Sequence, residues 1–325
     1  MITAKKIQDA IIGLTIADAV GVPYEFVSRD DLKLKPANDM ISYGSHNQAK
    51  GTWSDDSSLT LCLLDALSKG YSLKTIALKF VEWKYNNKWT ASGKLFDIGM
   101  TTSYSIERLK KMLQNGQIEE LKQLKYRGTE DDNGNGSLMR ILPLAFYIYR
   151  QPIEKQWQYT WEVSALTHPP FRAAMACLIY NKMVEKIIGG KPLQLAYTET
   201  CSEITSFWEK ENFSEREFKI FEKVLGGSIN TLQEDNINSG GYVMHTLEAS
   251  FWVLLNTGSY RDAVLKAVNL GNDTDTTAAV VGGIAGLYYG KDEIPADWYQ
   301  STVRIPEIEN CCNRFFEKLI KQNGQ

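Results

Sequence analysis

Two short segments carry the residues with most to offer chemically: Ser54-Asp55-Asp56 and, far down the chain, Asp273-Thr274-Asp275-Thr276. The first lies within Gly51-Thr52-Trp53-Ser54-Asp55-Asp56-Ser57-Ser58 and runs into an apolar helix predicted over 59–67. Ser54, Asp55 and Asp56 therefore stand at a helix N-terminus, where the macrodipole and free backbone N–H groups favour carboxylates. An ordinary N-cap would place them in the same way. The second segment, Gly271-Asn272-Asp273-Thr274-Asp275-Thr276-Thr277, separates a helix ending near Leu270 from a small-residue helix predicted over 278–288. Alternation is expected to put Asp273 and Asp275 on one side of an extended turn. With the Thr276 hydroxyl next in line, three oxygens converge on one cation.

The oxygen-only character of these groups suits Mg2+, Mn2+ or Ca2+ rather than zinc, which prefers Cys and His. An EF-hand loop fails because its sixth position, which needs Gly, is Ala278 and its twelfth, which needs Glu, is Ile284. A P-loop fails because no Gly-Lys-Ser/Thr sequence exists. Four carboxylates in one place would repel strongly, so either cations neutralise them or some hold protons through raised pKa values. Two hard ions explain such a cluster more easily than one.

The elements that must position these groups read as helices. Ile7, Ala10, Ile11, Leu14 and Ala17 mark one helical face, and Leu61, Leu64 and Leu67 another. The same spacing returns at Ala173, Ala176, Cys177 and Tyr180, at Leu247, Phe251 and Leu254, and at Ala263, Val264, Ala267 and Val268. Strand-like alternation is hard to find, so the fold class is all-α. No long Pro/Ser/Gly linker divides the chain, and residues 1–325 are read as a single domain without internal repeats. Segments 28–50 and 124–135 lack helical period and are the expected active-site loops.

A 325-residue chain that is 43% hydrophobic can bury a substantial core. Its formal net charge of -3 comes from scattered residues with no basic block, which argues against nucleic acid as a partner. The five cysteines form no CxxC pair and their number is odd, so they are read as reduced core thiols in a cytoplasmic protein. No secretory leader and no membrane-spanning stretch is evident, so no membrane role is expected. A monomer is expected.

Further motifs accompany the acidic pair: Gly13-Leu14-Thr15-Ile16-Ala17-Asp18-Ala19-Val20-Gly21 with Tyr24-Glu25, then Asn133-Gly134-Asn135-Gly136-Ser137-Leu138-Met139-Arg140, then Thr167-His168-Pro169, then Gly240 to Ala249. In type and order, from about Ala10 to about Gly290, the chain resembles the ADP-ribosylglycohydrolase family, which includes dinitrogenase reductase-activating glycohydrolase. Two departures stand out: His245 where many relatives carry Asp, and Ser54 where relatives often have Thr.

The resemblance implies an orthogonal multi-helix bundle with a central dinuclear metal cleft, two Mg2+ ions (or Mn2+) being ligated by Ser54, Asp55, Asp56, Asp273, Asp275 and Thr276. It implies a hydrolase that cleaves the glycosidic bond at the anomeric carbon of ADP-ribose, removing it from modified protein, above all from arginine. The alternatives are serine-linked, polymeric or O-acetyl ADP-ribose as substrate, or an ADP-ribose-binding protein without turnover. Asp56 is assigned as general base and Asp55 mainly as a ligand, while Glu25 is a loop carboxylate that touches metal or guards substrate. Asn133, Gly134, Asn135, Gly136 and Ser137 form a glycine-rich lead-in to a helix over 138–142 that can cradle a pyrophosphate. His168 and Gly271 are placed beside substrate, although His168 could instead cap the helix from Phe171. Trp53 and Tyr242 are candidates to flank adenine or ribose, with core packing as the alternative. Asp18 continues the apolar stripe of the first helix, so it should be buried with a partner that makes it a supporting or helix-pairing residue.

Overall fold

The computed structural model describes residues 1–323. Among the described residues there are fifteen α-helices joined by short 3-10 turns, and the only β pairings are two isolated bridges, Tyr43 to Gln48 and Gly134 to Tyr242. The all-α expectation holds. Among the described residues no helix is long and apolar enough to cross a membrane.

The helix Ala4–Gly21 starts at Thr3, whose hydroxyl accepts from the Lys6 N–H, and is enclosed on every side from Asp9 to Gly21. A helix that is apolar all round belongs in the middle of the molecule. It packs on Thr274–Tyr289 through glycines: a Cβ on Gly13 would stand 2.6 Å from the Gly282 carbonyl oxygen, and one on Gly286 only 2.3 Å from that of Asp9. With no side chains between them, the two backbones touch. The C-terminus of the first helix thereby abuts the N-terminus of the second, where Thr274 Oγ1 donates to the Gly21 carbonyl at 2.9 Å.

Asp55–Leu67 joins this pair through Asp18. The buried Asp18 carboxylate accepts from the Ser54 N–H at 3.0 Å, the Ser57 N–H at 3.0 Å and the Ser57 hydroxyl at 2.6 Å. One helix thus caps the orphan N–H groups of another, the supporting role expected of Asp18. The preceding loop is pinned from the far end of the chain: Val303 N donates to the Gly51 carbonyl at 3.2 Å and Trp53 Nε1 to that of Val303 at 3.2 Å. Trp53 is fully buried there, in keeping with the core alternative.

Two local expectations change. The second acidic segment is not an extended turn: the helix starts at Thr274, with Asp273 as its N-cap and Asp275 in its first turn. Adjacent N-terminal positions bring these carboxylates together as well as alternation would. Secondly, no α-helix follows the glycine-rich segment directly. A 3-10 turn spans Asn135–Ser137 and the α-helix begins only at Leu142. Pro143, which lacks an N–H, fits only the first turn of a helix and sets that start.

Candidate active site

Both acidic segments sit at helix N-termini, and the tertiary fold aims them at each other. Ser54 caps its helix by accepting from the Asp56 N–H at 3.3 Å, and its hydroxyl donates to Asp56 Oδ2 at 3.1 Å. Thr276 Oγ1 donates to the same Asp56 oxygen at 3.4 Å, joining the two segments directly. Glu25, Asp273 and Asp275 each place one carboxylate oxygen within 4.8 Å of the others.

Burial and mutual repulsion govern their protonation. Asp55 is pushed well above its ordinary pKa by burial, then by Asp97, Asp18 and Glu25. Burial likewise raises Asp56, with Asp18, Asp55 and Asp273 adding to it, and raises Asp275, with Glu25 and Asp56 adding to it. Asp273 is raised by burial despite the Asn135 amide, which donates to its Oδ2 at 2.8 Å. Asp18 rises to about 6 through burial, held back by Ser57 and Ser54.

Above the carboxylates lies a cleft of about 490 Å³, walled by Glu25, Phe26, Asp55, segment 97–102, Gly134, Asn135, Gly136, His168 and the second acidic segment. This volume falls within the range usual for small-molecule sites. Asp55 faces the cleft, whereas Asp56 lies behind it with Oδ1 enclosed and without a hydrogen-bond partner. That order differs from the roles assigned to the two from sequence.

The glycine-rich and histidine motifs turn out to be one feature. A Cβ on Gly136 would stand 2.6 Å from His168 Cε1, and one on Gly134 3.3 Å from His168 Nε2, so the glycines make room for the imidazole. His168 bonds Thr167 Oγ1 through Nδ1 at 2.8 Å. It does not cap the Phe171–Ile188 helix, whose N-cap is Pro170. Burial, and then Arg140, lowers its pKa to about 3, which keeps the ring neutral.

Other sequence assignments fall outside the cleft. Ser137 is fully buried and accepts from Ser164 Oγ at 2.9 Å, so its hydroxyl belongs to the core. Asn133 serves the loop: its carbonyl accepts from Val243 N at 3.0 Å and its amide donates to the Glu130 carbonyl at 3.0 Å. Gly271 has φ +76, and a Cβ there would meet Arg29 N at 2.5 Å, so it is a turn position under backbone contact. Tyr242 packs against His245, with ring centroids 5.1 Å apart, and against Arg172. His245 is half-buried against Tyr242, and burial and Lys223 lower its pKa.

Sequence reasoning missed Asp97 and His46. Asp97 lines the cleft, and His46 Nε2 pairs with Glu25 Oε2. His46 lies in segment 28–50, whose irregularity alone predicts a loop of the site, while Asp97 carries no local signal that separates it from any surface Asp.

A family model described as ADP-ribosylglycohydrolase matches residues 2–325. The chain is 30% identical over 317 residues to ADP-ribosylarginine hydrolase Tri1 of Serratia proteamaculans (strain 568), a match spanning 96% of this chain and 79% of that protein. It is 26% identical over 306 residues to the ADP-ribosyl-dinitrogen reductase glycohydrolase of Rhodospirillum rubrum, spanning 89% of this chain and 87% of that protein. A solved structure, an ADP-ribosylglycohydrolase-related protein complex, shares the fold with a TM-score of 0.78 at 24% identity, over 97% of this chain and 98% of that one. A match of this extent shows membership: the chain belongs to the ADP-ribosylglycohydrolase family and is a hydrolase of glycosidic bonds.

Proposed function

We propose that this protein removes ADP-ribose from arginine side chains of modified protein, hydrolysing the bond at the anomeric carbon with two bound Mg2+ ions, for which Mn2+ can substitute. The observation that carries the reading is the Thr276 to Asp56 contact, which joins two acidic helix ends at the floor of one cleft. The arginine linkage is supported by the relative from Serratia, which is named for it.

The residues fit the ions. Ser54, Asp55, Asp56, Asp273, Asp275 and Thr276 offer oxygen donors only, the set preferred by hard divalent cations. The unpartnered Asp56 Oδ1 and the raised pKa values of Asp56 and Asp275 are the marks of a charge deficit that cations would relieve. When bound, such ions lower the pKa of a coordinated water and orient the ribose hydroxyls.

The chain's own groups do the rest. Asp55, facing the cleft, receives the proton of the attacking water, and the enclosed Asp56 acts as a ligand, the reverse of the order read from sequence. Positive charge that develops on the ribose as the bond breaks is stabilised by the anionic wall of Glu25, Asp55, Asp97, Asp273 and Asp275. The neutral His168 and the Gly134 to Gly136 backbone line the same cleft as groups for substrate hydrogen bonds. Five buried cysteines that form no disulfide fit a reducing, cytoplasmic setting.

The test is a side-by-side assay of free ADP-ribose released from arginine-linked, serine-linked and O-acetylated ADP-ribose, with Mg2+ and with EDTA. Release from the arginine linkage that EDTA abolishes is the expected result. Release only from an oxygen linkage would move the substrate to that class, and undiminished turnover by metal-free protein would refute the metal reading.

A further inference from the structure

His46 stands apart from every motif discussed so far, yet the structure builds a device around it. Segment 43–48 closes on itself through the Tyr43 to Gln48 bridge and contains the 3-10 turn Gly44–His46. This segment is pressed onto the loop that carries Glu25. Gly44 has φ +58, and a Cβ there would stand only 2.0 Å from the Pro23 carbonyl oxygen. Ser45 Oγ donates to the Glu25 carbonyl, and His46 Nε2 hydrogen-bonds Glu25 Oε2. The imidazole is itself fixed, with ring centroids 5.8 Å from Phe26 and 5.5 Å from Phe96. Backbone and carboxylate of Glu25 are thus gripped by the same short segment.

The grip has a physical reason. Glu25 has one carboxylate oxygen within 4.8 Å of Asp273 and Asp275, and it shares a second cluster of the same size with His46 and Asp97. A Glu side chain loses about 1.5–2 kcal/mol of rotamer freedom when fixed. Here two like charges, Asp273 and Asp275, also push it away from the cluster. Without a donor on its far side, Glu25 would turn away from the cluster toward solvent.

We propose that His46 is a positioning residue for the cation site: with its ring held between Phe26 and Phe96, its imidazole keeps the Glu25 carboxylate against Asp273 and Asp275. The proposal rests on the reading of the cleft as a divalent-cation site and adds Glu25, whose carboxylate oxygen lies within 4.8 Å of those of Asp273 and Asp275, to the groups that would hold an ion there. It predicts that losing the donor costs more than losing the ring that the two phenylalanines hold.

Two variants of the full chain separate those features. His46→Phe keeps a ring between Phe26 and Phe96 but removes the donor, and His46→Gln keeps an N–H near the Nε2 position but removes the ring. Titration of metal-stripped protein with Mn2+, followed by calorimetry and by the paramagnetic signal of free Mn2+, gives affinity without reference to turnover. His46→Phe should weaken binding by about 10- to 100-fold, the usual cost of losing a group that orients a metal ligand. His46→Gln should stay close to wild type, and in a Glu25→Ala background His46→Phe should have no further effect. Should the Phe variant fail to fold, His46→Leu replaces it as the donor-free form. Wild-type affinity in the donor-free variant, an equal loss in His46→Gln, or a full additional loss in the Glu25→Ala background would overturn the proposal. Asp275→Asn is the control for the site: if it binds Mn2+ as wild type does, or wild type binds none, the cation site itself is wrong. If Asp275→Asn loses binding and His46→Phe does not, only the role of His46 falls.

Discussion

The carboxylates of Glu185 and Glu203, gathered round the buried Lys182 of the Phe171–Ile188 helix, and the buried carboxylates of the cleft differ in one respect. On that helix Lys182 bonds Glu185 at 2.5 Å and Glu203 at 2.7 Å, and Lys186 reaches Glu203 at 2.6 Å. Burial pushes Glu203 up, but its hydrogen bonds to Lys182 and Lys186 outweigh that and hold it below its ordinary pKa. In the cleft, among the described residues, no Lys or Arg pairs with Asp55, Asp56, Asp273 or Asp275, and burial raises all four. One region is neutralised from within and holds the fold together. The other is left short of positive charge, a state that functional sites maintain because a ligand or ion completes it.

The comparison can be broken most sharply at Asp55. Asp55→Asn should lower kcat by about 100- to 10,000-fold, the usual contribution of a general base. The same change should raise the melting temperature of the metal-free protein, because it removes one of several repelling charges. Asp56→Asn should instead show mainly as lost Mn2+ affinity. Steady-state kinetics at saturating Mg2+ beside a calorimetric titration decide this, and the opposite ordering would return the base role to Asp56.

On the paired side the sign reverses. Lys182→Met should destabilise the fold by about 2 kcal/mol in urea unfolding, below the ~3–5 kcal/mol of a fully enclosed pair because Glu203 is partly open to solvent. Activity should not change. A stabilised or unchanged protein would mean that the two regions do not differ as described.

The smallest effect is expected at Ser137. Ser137→Ala removes a core hydroxyl bonded to Ser164 and should cost about 1 kcal/mol. With kcat and KM unchanged it would mark Ser137 as part of the core, whereas a rise in KM would restore it to the cradle read from sequence.

The parts legible in advance share a property. Helical faces, the Ser54 cap, the burial of Asp18 and the acidic character of both segments follow from near neighbours in the chain, since periodicity and capping are local physics. The ordered motifs extended that reading to the family. Tertiary structure alone decided what depended on distant contacts: that Gly271 and the Gly134 to Gly136 turn are glycine because Arg29 and His168 press on them, that Trp53 is pinned by Val303, that Asp55 rather than Asp56 opens on the cleft, and that His46 and Asp97 join the site. A residue's neighbours along the chain dictate its backbone and capping, but which side chains meet across hundreds of residues is set only when the helices pack.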